Sequence, residues 1–278
     1  MSHIVSAVPG VYRTFPIHLK PAAALAERVL LPGDPHRALQ VAQHLLEQPR
    51  MLNHHRGLWG YTGEAPDGWP LSVQSTGMGG PSAAIVVEEL IGLGARTLVR
   101  IGTCGTLDPD LELGDLIVAG EALSSDGASA ALGAGERVAP DQVLTAALAR
   151  AAGRAPAPVA SCDLFYDERP GEAAGWRARG AVAVEMEAAT LFRLAELRGV
   201  RAGCLLAVSG RLDGDGSEGP VGSREHIGRE DLEAAGLRLG EVAYAALSSP
   251  GTPPDLGFAR SPSVVVPPAG RKPPRRAG

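Results

Sequence analysis

The residues best suited to chemistry in this chain are arginines set in two glycine-rich turns. Leu31-Pro32-Gly33-Asp34-Pro35-His36-Arg37 and Val99-Arg100-Ile101-Gly102-Thr103-Cys104-Gly105 each follow residues that read as a buried strand. Small residues let a ligand approach backbone N–H groups, and a guanidinium can fork onto an oxyanion. Gly33 can offer a backbone N–H, Arg37 and Arg100 can offer side-chain forks, and Thr103 a hydroxyl. That set can hold a phosphate-sized anion. Either turn alone reads equally as a chain reversal beside a surface ion-pair former. Two in one chain of 278 residues argue for a dedicated site.

Three further segments carry candidate groups. Val184-Glu185-Met186-Glu187-Ala188-Ala189 ends an apolar run in two carboxylates. A carboxylate there can accept both hydroxyls of a vicinal diol, or it can stabilise the start of a helix; the spacing leaves both readings open. Ser161-Cys162-Asp163-Leu164-Phe165-Tyr166 holds two adjacent aromatics in a chain with only 4% aromatic residues. They suit stacking on a planar base, or one is a core residue. Gly77-Met78-Gly79-Gly80-Pro81-Ser82 is either ligand-facing or a plain helix entry. No His, Cys or carboxylate cluster has metal-ligand spacing, so no metal is expected. Cys104, Cys162 and Cys204 show no paired spacing and read as reduced, buried thiols.

The elements that must position these groups alternate between strand-like and helix-like patterns. Strands are expected at 28–31, 97–101, 116–119, 181–184 and 202–208. A hairpin over 61–62 and 71–76 should turn at Asp67-Gly68. Helices are expected at 35–46, 83–93, 141–152, 187–197 and 225–247. This pattern predicts an α/β fold: one domain with a mixed, largely parallel twisted sheet flanked by helices. Ligands in such sheets bind beyond the carboxyl ends of strands, where both arginine-bearing segments lie.

Composition narrows the partners. The net charge of -5 gives no basic footprint for nucleic acid. No apolar run is long enough for a membrane span, and the N-terminus lacks a signal-peptide pattern, so a cytoplasmic protein is expected. Residues 1–17 read as a flexible arm and 18–247 as the folded domain. Residues 248–278 are rich in Pro and Gly with a basic tip, and read as a disordered, solvated tail.

Taken together, GDPHR, HHRGLWGYTG, STGMGGPSAAIVVEEL, RIGTCG, SCDLFY and VEMEAA resemble the nucleoside phosphorylase family of the hexameric, bacterial type. The resemblance covers about residues 18–247 and is closest to the purine enzymes, with segments that look equally like uridine phosphorylase. The insertion and Gln/Arg pair with which uridine phosphorylases read uracil after their Phe-Tyr are not evident here, since Asp167-Glu168-Arg169-Pro170 is expected to lead directly to the next strand. It implies that Gly33, Arg37, Arg100 and Thr103 bind phosphate, joined by Arg56 from a neighbouring subunit. It implies that Met78, Met186 and Glu187 hold the ribose, joined by His18 of a neighbour. Phe165, Ser209, Gly210 and the backbone of Val184 and Glu185 would flank the base. Phosphate is then a co-substrate, no cofactor is needed, and the shared sites imply a homo-oligomer, a hexamer built from dimers.

In one place the chain departs from this pattern. The purine enzymes end the 202–208 strand in Val-Ser-Asp, and that Asp helps protonate the departing purine. This chain reads Val208-Ser209-Gly210-Arg211, with Asp213 and Asp215 following as candidate substitutes and Arg224 in loose register with the family's assisting Arg. A positioned acid contributes about 10²–10⁴-fold. Its loss should slow adenine release most, so inosine and guanosine are expected to be favoured over adenosine. The alternatives are a uridine phosphorylase, a hydrolytic nucleosidase and a nucleoside-binding protein without turnover.

Overall fold

Apolar runs that can be covered on both faces become the centre of the sheet. The structure, a computed structural model, describes residues 16–167, 169–212 and 225–248. Along the chain the elements are β1 (Arg28–Leu31), α1 (Pro35–Leu45), β2 (Glu47–Asn53), a 3-10 turn (His55–Gly57), β3 (Gly60–Glu64), β4 (Pro70–Gln74) and α2 (Gly80–Leu93). Then follow β5 (Thr97–Thr106), β6 (Leu116–Ser125), α3 (Gly127–Ala131), β7 (Arg137–Val138), α4 (Gln142–Ala152), β8 (Pro156–Cys162) and α5 (Glu172–Ala178). The last are β9 (Ala183–Glu185), α6 (Ala188–Arg198), β10 (Arg201–Arg211), β11 (Glu225–His226) and α7 (Arg229–Leu247).

The strands form one mixed sheet in the order β11-β10-β6-β8-β9-β5-β1-β4-β3-β2, with β7 on β6. Because β10 also pairs with β5, the strands β5, β10, β6, β8 and β9 close into a ring. The pairings next to the arginines, β1–β5 and β5–β10, are parallel. The hairpin of β3 and β4 is antiparallel. Alternation along β5 separates two cores. Leu98 and Cys104 pack with Val86, Leu90, Leu191 and Leu206 under α2 and α6. Val99 and Ile101 pack with Val41, Leu144, Leu205 and Leu239 under α1, α4 and α7.

Three expectations need correction. Arg100 to Gly105 is not a turn after a strand. It lies inside β5, which runs to Thr106 because β9 and β10 both pair with its second half. The chain does not pass directly from Tyr166 to the next strand. α5 intervenes, fixed by the fully buried Trp176, whose Nε1 donates to Ser125 Oγ at 3.1 Å. The last helix does not begin at 225. Glu225 and His226 pair with β10, and α7 starts at Arg229 after Gly228. The short β7 and α3 and the polar, mostly exposed β2 were not anticipated.

Two local devices set the site. Asp34 caps α1, accepting from His36 N at 2.9 Å and Arg37 N at 3.3 Å, with Pro35 at the first helical position. Such a cap contributes about 1 kcal/mol and places Arg37 in the first turn after β1. α7 presents two glycines to α1: a Cβ at Gly236 would come 3.3 Å from Arg37 Nε, and one at Gly240 would come 2.8 Å from Val41 Cγ1. The shaft of Arg37 therefore lies directly against the α7 backbone.

Candidate active site

Arg100 is the centre of the site. It is 6% exposed, and its Nε donates to Glu185 Oε2 at 2.9 Å while its Nη2 pairs with Glu187 Oε2. Glu185 is fully occupied. It also accepts from Ser161 Oγ at 2.5 Å, Glu187 N at 2.9 Å and Ala188 N at 2.8 Å. Its carboxylate therefore starts α6 and anchors Arg100. Of the two readings open for this pair, helix start falls to Glu185. Glu187 keeps a second oxygen, which accepts from Gly79 N at 2.5 Å.

Burial shapes the charges. It works to strip the Arg100 proton, but Glu187 and then Glu185 outweigh it and hold the guanidinium above its ordinary range. Burial raises the Glu187 carboxyl, Arg100 pulls it down and Glu185 pushes it up again, leaving it above the usual carboxylate range. Burial also lowers Arg37, with Asp34 opposing and Arg100 assisting. The formal charges of Arg37, Arg100, Glu185 and Glu187 cancel.

Backbone bonds bring the glycine-rich segments together. Thr76 N donates to Pro32 O at 2.9 Å and Gly77 N to Gly33 O at 3.1 Å, so the turn after β1 lies along the entry to α2. Gly79 has φ 84, a conformation that favours glycine, and this aims its N–H at Glu187. The pairing of Leu31 with Arg100 puts Gly33 just beyond the level of the guanidinium. Met186, between the two carboxylates, is partly exposed, as is Thr103 three residues along β5 from Arg100, and Met78 is 84% exposed.

At the other end of the site, Val184 pairs with Gly105, which pairs with Gly210. Ser209 sits at a register shift in β10 and donates its hydroxyl to Cys104 O at 3.2 Å. Phe165 is 53% exposed on the loop after β8, edge-on to Tyr166 at 5.0 Å. Asp163 ties that loop to α3 by accepting from Gly127 N at 2.7 Å. Asp213, Asp215 and Arg224 lie outside the described residues, as do residues 1–15 and 249–278 of the expected arm and tail.

His18 and Arg56 form a second cluster. Glu89, buried on α2, accepts from Ile17 N at 3.0 Å, His18 N at 3.0 Å, Leu19 N at 2.7 Å and His18 Nδ1 at 2.7 Å. His55 Nδ1 lies 2.9 Å from His18 O, and Asn53 Oδ1 accepts from Lys20 N at 2.9 Å. Arg56, next to His55, is exposed and adopts φ 59, a left-handed conformation uncommon outside glycine. Nine residues of α2 separate Gly80 from Glu89, about 13 Å along the axis.

The structure thus joins Arg100 to Glu185 and Glu187 by direct bonds, with Met186 between the two carboxylates, the Gly33 turn alongside the α2 entry and Arg37 within electrostatic reach of Arg100, and it ties His18 to Glu89. Among the described residues, Thr103 and Arg56 make no hydrogen bond or ion pair with either group. Ser161, the Gly79 N–H and Glu89 were missed. Glu89 had a signal, since it is an acid on the apolar stripe of α2. The three cysteines are free and buried, as expected.

A family model for the phosphorylase superfamily matches residues 27–243. The DeoD-type purine nucleoside phosphorylase of Caldanaerobacter subterraneus subsp. tengcongensis is 40% identical over 68% of this chain and 84% of that protein. The uridine phosphorylase of Treponema pallidum is 41% identical over 68% of this chain and 79% of its own length. The guanosine phosphorylase of Halorubrum lacusprofundi is 37% identical over 80% and 94%.

Proposed function

The chain belongs to the phosphorylase superfamily, and from that premise we propose that it cleaves purine nucleosides with phosphate, giving free base and ribose 1-phosphate. The observation that carries this reading is the single guanidinium shared by two carboxylates. Arg100 can turn its free edge to an anion while Glu187, bound to the same cation and to Gly79 N–H, faces the adjoining sugar. A carboxylate beside an anion site is repelled unless a neutral diol lies between them.

In this mechanism Gly33, Arg37, Arg100 and Thr103 hold phosphate below C1′. Glu187 takes the 2′- and 3′-hydroxyls, with Met186 and Met78 against the sugar. The bond from C1′ to the base breaks first, positive charge grows on the ribose, and the phosphate stabilises that charge and then bonds to C1′. Phe165, Val184 and Gly105 border the base, with Ser209 and the backbone of Glu185 and Gly210 at its rim.

The four charges of the cleft cancel, so a phosphate dianion gains from a further cation. Arg56 of a neighbouring copy would meet that need, as the resemblance implies, since its side chain is exposed. We take the assembly to be a hexamer built from dimers, working in the cytoplasm with reduced thiols, in nucleoside salvage. Glu89 then serves as a tether that aims His18 Nε2 at the neighbour's ribose. Glu89→Gln sets an amide NH2 against a backbone N–H that the carboxylate accepts, so it is expected to loosen residues 17–19 and raise the nucleoside KM about tenfold while the rest of the fold stands. Steady-state kinetics at saturating phosphate check this.

For the base, Arg169 supports a purine. Its Nε donates to Asp167 Oδ1 at 2.8 Å and its Nη2 lies 3.6 Å from Glu172, so it is engaged away from the cleft. A uracil-reading arginine after Phe165-Tyr166 would have to be free. The uridine reading stays as the alternative that the Treponema relative favours. The deciding experiment incubates the protein with inosine, guanosine, adenosine and uridine, with and without phosphate, and quantifies free base. Phosphate-dependent release of hypoxanthine and guanine is expected, with less adenine. Release from uridine alone, or release without phosphate, overturns the reading.

A further inference from the structure

One rung of the sheet crosses four strands at the base end of the cleft: Val184 on β9, Gly105 on β5, Gly210 on β10 and His226 on β11. Residues paired on a rung point their side chains to one face. Val184 and His226 therefore flank two glycines, over a span of about 14 Å. Leu212 folds back over Gly105: a Cβ there would meet Leu212 Cδ1 at 2.4 Å and Val184 Cγ1 at 3.6 Å. The rung thus runs from an apolar patch, Val184 with Leu212, across the bare Gly210 to an imidazole.

The Gly210–His226 pair is of the close kind. Ile227 N donates to Ser209 O at 3.0 Å, which makes Gly210 and His226 a non-hydrogen-bonded pair. Such pairs bring Cα atoms to about 4.5 Å, with their side chains closest together. Gly210 has no side chain to compete for the space, and His226 is exposed and open to solvent. A planar side chain opposite a glycine can extend across it.

Resting on the purine reading above, we propose that His226 supplies the proton that Gly210 cannot. As the C1′–N9 bond breaks, its electron pair passes into the purine. The His226 imidazolium gives its proton to N7, the base leaves neutral, phosphate oxygen bonds to C1′, and the imidazole regains a proton from solvent. On that rung His226 is the residue with a side-chain N–H, lying across Gly210 from Val184 and Leu212.

The test uses the full-length protein and its His226→Ala variant, with inosine and 7-methylinosine as substrates. The methylated base carries its own positive charge and leaves without a proton at N7. Loss of a positioned acid should lower inosine kcat/KM about 10²-fold and leave 7-methylinosine within about threefold of wild type. Equal losses on both substrates, or no loss on inosine, overturn the proposal while wild-type turnover leaves the purine reading standing. Wild-type protein that releases no purine overturns that reading and the proposal with it.

Discussion

Arg100→Met is expected to cost about 3–5 kcal/mol of stability and to abolish phosphate-dependent base release, because the change strands buried carboxylates. The guanidinium is 6% exposed and holds both Glu185 and Glu187. Methionine fills much of the same space, so a cavity contributes little and the unpaired charge dominates. Glu185 keeps three donors, Ser161 Oγ and two backbone N–H groups. Glu187 keeps only Gly79 N. The variant should therefore recover stability in acid, where one carboxyl accepts a proton. Urea unfolding at neutral and acidic pH, read beside turnover, checks both parts. Wild-type stability at neutral pH would show that the two carboxylates do not depend on Arg100.

The second large effect is a trade between turnover and stability at Glu187. Burial raises its carboxyl above the usual range, and Arg100 restores only part of the difference. A raised acid carries no penalty below the ordinary carboxylate range. The penalty grows as pH climbs through the raised folded value and stays constant above it. Glu187→Gln removes the ionisation but turns an amide NH2 toward one of the two donors that hold the carboxylate, Gly79 N and Arg100 Nη2. The lost bond costs the same at every pH, whereas the relieved penalty exists only above the ordinary carboxylate range, so the variant should compare worse with wild type in acid than at neutral pH. Its kcat/KM should fall about 10–100-fold through loss of charge-assisted bonds to the sugar hydroxyls. Melts across that pH range, paired with kinetics, decide it. A stability gap that does not change with pH contradicts the account.

The pattern of apolar runs was enough to locate β1, the first half of β5 and most of β10, because strands covered on both faces need little else. The two arginine-bearing segments singled out by type and spacing do lie side by side, β1 against β5, though Arg100 was misjudged as part of a turn. The long pairing with β10, from Leu205 opposite Ile101 onward, and the Val184 rung at Gly105 extend β5 past it. The division of labour between Glu185 and Glu187 was not legible. It depends on Ser161, 24 residues away on β8, and on the register that brings Ser161 level with Glu185. β11 was read as helix because its two residues carry no period of their own. Its identity comes from Gly210 and Arg211 lying opposite.

The ring of five strands sets the two ends of the cleft on very different footings. Arg100 sits where β5 is clasped from both sides, by Leu31 of β1 and Cys204 of β10, so a substitution there must satisfy two neighbouring ladders at once. His226 hangs on a two-residue edge strand with a single neighbour. The arginine end is thus the braced part of the sheet, where a change disturbs two strands at once. The His226 end lies on a sheet edge, where a change in one short strand leaves the ring itself untouched.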